Sequence, residues 1–155
     1  MITVMRKELT KFNVPVKHES IIAVSILYNE IDRIQFFVDY YIKMGVTHFI
    51  FIDNNSDDGS QEKLIALSKT INIRLISTPE SYKETVSGSK WINEILKDYK
   101  DRWIAVVDMD EHIILRDDKT LVDLRNSMES SNANVSQFIM IDFYPIEESI
   151  AVTDP

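Results

Sequence analysis

The clearest fold signal in this chain is the run Arg102-Trp103-Ile104-Ala105-Val106-Val107-Asp108-Met109-Asp110-Glu111-His112. A continuous stretch of β-branched and apolar residues is typical of a strand buried on both faces, as in a parallel sheet. Because successive side chains of an extended chain alternate between faces, Asp108 and Asp110 are expected to point one way and Glu111 the other. Open α/β sheets bind ligands at the carboxyl ends of their strands, so this acidic tip is a candidate binding site.

The acidic tip has two interpretations. Two carboxylates held close together repel each other unless a proton or a cation lies between them. Mg²⁺ and Mn²⁺ prefer oxygen ligands, and Mg²⁺ commonly takes one or two carboxylates plus substrate phosphates, which makes Asp108 and Asp110 candidate metal ligands. The alternative is a solvated acidic turn whose carboxylates cap a following helix. His112 is either a further metal ligand or a local hydrogen-bonding partner.

The rest of the chain alternates between strand and helix patterns. Apolar runs predict strands at 21–27, 48–52, 71–76 and 135–141, in addition to the run that ends at Asp108. Helical spacing predicts helices from Ile31 to a stop at Gly45, over 61–69 with Ser60 as N-cap, over 89–100 and over 120–129. This β-α order predicts an α/β fold of Rossmann-like type, with a mostly parallel sheet and helices on both faces.

Composition narrows the function classes. The chain has 155 residues with 45% hydrophobic content, enough for a single core, and a formal net charge of −8, which argues against a nucleic-acid partner. A nucleotide ligand stays possible, since a metal ion supplies positive charge locally. The absence of cysteine excludes disulfides and thiolate metal sites. The first 20 residues lack the apolar core of a signal peptide and no apolar run is long enough to cross a bilayer, so we expect a cytoplasmic protein without a transmembrane segment.

Polar residues follow three of the predicted strands, at 28–30, 53–60 and 108–112. In a parallel sheet these strand ends share one edge and could line one crevice. Tyr28 offers an aromatic face, Asp53 a carboxylate that accepts a hydrogen bond from a base N–H, and the acidic tip a metal site. Together they would suit a nucleoside diphosphate. With three glycines in the chain, neither a Walker loop nor a dinucleotide fingerprint is possible.

The same residues also have purely structural interpretations. Tyr28 could cover the sheet edge, Asn29 could start a turn, and Asp53 could cap its own loop through the backbone. Three other polar residues of the 53–60 loop are expected to serve as turn and helix-cap residues rather than ligand contacts; they are Asp57, Asp58 and Ser60.

Three motifs, in order, carry a family resemblance. They are Asn29-Glu30 after the first strand, the loop Asp53-Asn54-Asn55-Ser56-Asp57-Asp58-Gly59, and Asp108-Met109-Asp110-Glu111. With their flanking strands they resemble the family 2-like glycosyltransferases of GT-A fold. The similarity extends over about residues 21–145, and Asp142-Phe143-Tyr144-Pro145 resembles a segment that follows the fifth strand in this group.

This resemblance implies an inverting glycosyltransferase that uses a nucleotide-sugar donor, often a UDP-sugar, together with Mn²⁺ or Mg²⁺. Residues 1–20 would be an N-terminal arm, and 21–155 one nucleotide-sugar-binding domain. The acceptor, whether a glycan, a lipid-linked sugar or a protein, is not indicated. By match, the donor-binding residues would be Tyr28, Asn29, Glu30, Asp53, Asn93 and Asp108, and the metal ligands Asp108 and Asp110.

The catalytic base is not assigned. Inverting members use a carboxylate in the later half of the domain to deprotonate the acceptor hydroxyl. The sequence ends soon after the predicted fifth strand, where the acids are Glu147, Glu148 and Asp154. We therefore expect much of the acceptor-binding half to be missing, and a non-catalytic nucleotide-sugar-binding module or fragment is the alternative function. A haloacid-dehalogenase-type phosphatase fits less well, because its Asp-x-Asp pair would follow the first strand rather than the fourth.

Overall fold

A computed structural model describes residues 6–141 of the chain. The segment Asp142–Pro145, the acids Glu147, Glu148 and Asp154, and the end of the predicted domain lie outside the described residues. Within 6–141, no helix is both long and apolar enough to cross a membrane.

Five strands form one sheet in the order β1-β4-β3-β2-β5. Strands β2 to β5 run parallel to their neighbours, whereas β1 pairs antiparallel with β4. The strands are β1 Lys7–Glu8, β2 Ile21–Leu27, β3 His48–Asp53, β4 Ile73–Ser77 and β5 Trp103–Val106. The helices are α1 Ile31–Lys43, α2 Ser60–Leu67, α3 Ser89–Leu96 and α4 Leu121–Ser130, with short 3₁₀ turns at Lys83–Thr85, Lys97–Tyr99 and Arg116–Asp118.

Helices cover both faces of the sheet. On one face, α1, α2 and α4 contribute Phe37, Tyr41, Leu64 and Leu121 to a core built on the alternate strand residues. On the other face, α3 packs its buried residues against the sheet beside the N-terminal arm; the main residues of this second core are Ile22, Val24, Ile50, Trp91 and Ile95. The predicted α/β class, the mostly parallel sheet and the placement of helices on both faces are confirmed.

The register of the sheet brings its polar strand ends together. Leu27 of β2 lies opposite Asp53 of β3, which in turn lies opposite Ser77 of β4. On the other side of β2, Val24 is paired with Val106 of β5. Since these strands are parallel, the residues that follow β2, β3 and β5 leave the sheet at one edge. This is the edge that the sequence predicts as the binding site.

Two strand predictions are wrong. β5 is not buried on both faces: it lies at the edge of the described sheet, and Val106 is 50% exposed. Residues 135–141 form no strand, and Val135 and Ile139 are 79% and 89% exposed. An apolar run identifies residues that favour a pleated, half-buried surface, but pairing and burial depend on a neighbouring strand that the run does not specify.

The N-terminal arm is part of the sheet rather than only a lead into it. Lys7 and Glu8 pair with Ser77 and Ile76 as strand β1. Farther along the arm, Phe12 packs against the second core.

Candidate functional site

A cleft of about 330 Å³ lies at the carboxyl edge of β2 and β5. It is lined by Ile26, Leu27, Tyr28, Glu30, Asn54, Tyr82, Asp108, Met109 and Asp110. The structure therefore brings together four of the predicted site residues, namely Tyr28, Glu30, Asp108 and Asp110. A larger groove of about 510 Å³ runs along β5 and α4, but its lining is mostly apolar and holds none of these four residues.

The acidic tip alternates as its sequence predicts. Val107 and Met109 are buried, whereas Asp108 and Asp110 are exposed and line the cleft together. Glu111 instead lines the groove beside β5. Its carboxylate accepts a 3.3 Å hydrogen bond from the backbone N–H of Asp108, and its own N–H donates to the Asp108 carbonyl at 3.0 Å. Glu111 thus holds the turn in shape.

The charges of this turn interact unfavourably. Partial burial, followed by the neighbouring charges of Glu111 and Asp110, raises the pKa of the Asp108 carboxyl. A cation placed between two such carboxylates relieves this repulsion. Across residues 6–141, no group of three or more His, Asp or Glu side chains is arranged to hold a metal ion. Asp108 and Asp110 are instead two carboxylates in one cleft. Mg²⁺ commonly binds one or two carboxylates and completes its coordination shell with phosphate oxygens and water.

Two tyrosines of α1 hold the backbone that follows the acidic tip. The Tyr41 hydroxyl donates to the Glu111 carbonyl at 3.1 Å and accepts from the Ile113 N–H at 3.2 Å. The Tyr40 hydroxyl donates to the Ile113 carbonyl at 2.8 Å. Burial raises the pKa of Tyr41 to about 12, so this hydroxyl stays protonated and able to donate. The acidic tip is thereby attached to a helix that is anchored in the core.

His112 packs among aromatic rings instead of joining the cleft. Its ring meets Phe36 and Tyr40 edge-on, with centroid distances of 5.1 and 4.7 Å. Its Nε2 is buried and has no hydrogen-bond partner within the described range. Neither sequence interpretation of His112 anticipates this contact, because Phe36 and Tyr40 lie on α1, about 70 residues earlier in the chain.

Asn29 links the loops that follow β2 and β3. It adopts a left-handed conformation with φ 56°. Its amide donates to the Asp57 carboxylate at 2.8 Å, and its side-chain oxygen accepts from the Asp57 N–H at 3.0 Å. The Asn29 N–H also donates to the Ser56 hydroxyl at 2.9 Å. These bonds fix the two loops to each other, so Asn29 supports the cleft without lining it.

Asp58 and Ser60 complete this connection. The Asp58 carboxylate accepts from the N–H of Ile31, at the start of α1, and from the N–H of Ser60. Desolvation is the largest single influence and opposes ionisation of Asp58, but the hydrogen bonds from Ser60 and Ile31 together outweigh it and lower the pKa of this carboxyl. The prediction that Ser60 is an N-cap is wrong: Gly59, with φ 94°, takes that position, and the Ser60 hydroxyl accepts from the Glu30 N–H instead.

Besides Asn29, two more predicted donor-site residues, Asp53 and Asn93, do not line the cleft. Asp53 is completely buried, and one of its carboxylate oxygens accepts from the Gln61 amide at 2.5 Å and from the Ser56 N–H at 3.2 Å. Its other oxygen, Oδ1, is buried without a partner in the part of the chain that is described. Asn93 lies on the exposed side of α3.

Sequence reasoning missed three residues beside the predicted ones. Tyr82 and Asn54 line the cleft, although no local pattern marks either as a ligand contact. Arg33 donates to the Glu30 carboxylate at 2.6 Å, and this contact, with a smaller contribution from Asp110, raises the pKa of its guanidinium. The three-residue spacing of Glu30 and Arg33 at the start of a helix could have indicated this pair.

Comparison with known proteins assigns the chain to a family. A family model described as glycosyltransferase family 92 matches residues 18–152. A search of curated proteins gives no significant match. The match confirms the prediction that the protein is a glycosyltransferase. It names family 92, whereas the sequence motifs resemble the family 2-like group. Because it spans most of the chain, the chain belongs to glycosyltransferase family 92 and is a glycosyltransferase.

Proposed function

We propose that this enzyme transfers a sugar, with inversion, from a nucleotide-sugar donor, a UDP-sugar in the first instance, and that Asp108 and Asp110 bind Mn²⁺ or Mg²⁺ with the donor diphosphate. One observation carries the proposal: Asp108 and Asp110 are both exposed and line one cleft, together with Tyr28. Carboxylates suit a hard cation, and an aromatic face suits a planar base.

The chemistry follows from the charges. Sugar transfer releases a nucleoside diphosphate, and a divalent cation bound there neutralises the charge that develops on the leaving oxygen. In this proposal Asp108 and Asp110 hold the cation in place, and the tyrosines of α1 fix the backbone that directly follows them. The Glu30–Arg33 pair sets a guanidinium near Asp110, on the same edge.

Asp53 has a more conditional role. Its Oδ1 has no hydrogen-bond partner in the described residues, and a base N–H is a suitable donor for it. Since Asp53 is completely buried, base reading by this residue requires its loop to open when the donor binds. The donor-side role of Asn93 likewise stays a prediction.

The direct test is calorimetric titration of UDP and GDP into the protein, with and without Mn²⁺. We expect nucleotide binding to depend on the metal. We also expect Asp110→Asn to weaken this binding by at least about 10-fold, because removing even a group that supports a metal ligand costs at least that much affinity. Asp101→Asn is the matched control, since it removes the same charge at the opposite end of β5, where Asp101 is exposed.

Two results would contradict the proposal: equal binding by the wild type and Asp110→Asn, or no metal-dependent nucleotide binding by the wild type. Transfer itself is measured by incubating a UDP-sugar with candidate acceptors. Product formation that Asp110→Asn abolishes is the expected result. Hydrolysis of the donor without transfer would support donor binding alone.

A further inference from the structure

Tyr82 borders the cleft and has no role in the function described so far. It lies in the segment between β4 and α3, and its side chain is 43% exposed. It shares the cleft with Tyr28, Asp108 and Asp110. An exposed aromatic ring in an open cleft keeps apolar surface in water, a cost that a ligand with a matching apolar face would remove.

The ring is held from behind by close packing. Gly88 has φ 73°, and a Cβ at this position would lie 2.2 Å from Ile26 Cδ1 and 3.1 Å from Tyr82 Cε2. The missing side chain of Gly88 thus lets the Tyr82 ring approach the sheet. The Trp91 ring supports it from a centroid distance of 6.2 Å. Because this side is packed, the exposed part of the ring is available to a ligand in the cleft.

The backbone beside Tyr82 is strained. Val86, Ser87 and Gly88 are three consecutive left-handed residues, with φ of 55°, 51° and 73°. Val86 is β-branched and 74% exposed, so neither its residue type nor its burial explains this conformation. Such strain is found most often at ligand clamps and active sites, where the surrounding structure maintains it.

The residues that precede Tyr82, at 78–80, are held by hydrogen bonds and an ion pair. The Asn54 amide donates to the carbonyls of Thr78 and Glu80, at 3.0 and 2.9 Å. The Glu80 carboxylate accepts from the Trp91 indole at 2.5 Å and pairs with Arg6 at 3.0 Å. The segment is therefore fixed at its base, and Tyr82 follows two residues later.

We propose that Tyr82 is a substrate-binding residue whose ring packs against the C–H face of the donor sugar. This inference rests on the proposed function, in which the metal and Tyr28 hold the diphosphate and the base. A pyranose ring presents an apolar C–H face that carboxylates cannot bind and that an aromatic ring can. Tyr82 is the second aromatic residue of the cleft and so the one available to the sugar.

The test compares UDP with UDP-glucose and UDP-N-acetylglucosamine, each titrated with Mn²⁺ into wild type, Tyr82→Ala and Tyr82→Phe. We expect Tyr82→Ala to weaken at least one UDP-sugar by about 5- to 10-fold, the scale of one aromatic contact, and to leave UDP affinity unchanged. Tyr82→Phe keeps the ring and should bind the UDP-sugars like the wild type. If Tyr82→Ala unfolds, Tyr82→Leu, which keeps apolar volume without an aromatic face, replaces it.

The outcomes separate this inference from the proposed function. Unchanged affinity of Tyr82→Ala for every UDP-sugar, with metal-dependent binding intact, overturns the role of Tyr82 alone. Equal weakening of UDP and UDP-sugars would mean that the ring contacts the nucleotide, which overturns the assignment to the sugar. Absence of metal-dependent UDP binding in the wild type overturns the proposed function and this inference with it.

Discussion

At the scale of single residues, one hydroxyl connects the core to the acidic tip. Tyr41 is completely buried on α1, and its hydroxyl bridges the Glu111 carbonyl and the Ile113 N–H. Buried backbone groups that lose their partner cost more than an average hydrogen bond contributes. The position of Asp108 and Asp110 therefore depends on a residue that does not line the cleft.

Tyr41→Phe tests this dependence. We expect the free energy of unfolding to fall by about 1–3 kcal/mol, because two backbone groups lose their partner. We also expect Mn²⁺-dependent UDP binding to weaken. Tyr99→Phe is the control, since it removes a hydroxyl that accepts from Arg74 at 2.9 Å, beside the other core. Urea denaturation and calorimetry give both quantities, and UDP affinity equal to that of the control would contradict a positioning role for Tyr41.

At the scale of elements, the first turn of α4 is attached to the core and to the end of α1. Its buried Leu121 joins the core on that face, and the Leu121 N–H donates to the Met44 carbonyl at 2.9 Å. The helix begins with a capping box in which Thr120 and Asp123 exchange hydrogen bonds. The predicted helix over 120–129 agrees with the observed Leu121–Ser130 to within one residue, and the three-residue spacing of Thr120 and Asp123 is a local signal that could also have placed the cap.

Thr120→Ala should lower the free energy of unfolding by about 1 kcal/mol, the usual cost of removing an N-cap side chain. Ser127→Ala, on the exposed side of the same helix, is the control and should leave stability equal or slightly higher, because alanine is the better helix former. Thermal and urea denaturation measure both changes. Equal stability of Thr120→Ala and the wild type would show that the capping box contributes nothing.

At the scale of the whole molecule, the N-terminal arm is fastened to the sheet through His48. This β3 residue is 3% exposed and meets the Phe12 ring edge-on at 4.8 Å. Its Nε2 lies 3.3 Å from the Val14 carbonyl and its Nδ1 2.9 Å from the Thr47 hydroxyl. Burial lowers the pKa of His48 below 6.5, and the Val14 carbonyl opposes this only in part.

Stability should therefore decrease on mild acidification. Well above pH 6.5 His48 is neutral in both the folded and the unfolded state and does not contribute to the pH dependence. As the pH falls through 6.5, the unfolded state binds a proton first, so the free energy of unfolding decreases until the pH is below the lower folded pKa and both states are protonated. His48→Gln should show a smaller decrease between pH 7.5 and pH 5.5 in urea denaturation. An identical decrease in both proteins would assign the effect to other groups.

The sequence alone determined most of the element types between residues 21 and 130, the sheet class and the acidic edge. Apolar runs, helical spacing and the alternation of Val107, Asp108, Met109 and Asp110 are local properties of the chain, so they can be recognised without coordinates. The family resemblance rests on equally local motifs. Tyr28, Glu30, Asp108 and Asp110 were identified for this reason.

Only the tertiary structure decided which residues surround and support that edge. The Tyr41–Glu111 bond joins residues 70 positions apart, and Tyr82 reaches the cleft from a segment without a local signal. The edge position of β5 and the burial of Asp53 likewise depend on neighbours contributed by distant parts of the chain. Strand pairing and side-chain packing are long-range contacts, and a local pattern does not specify its partner.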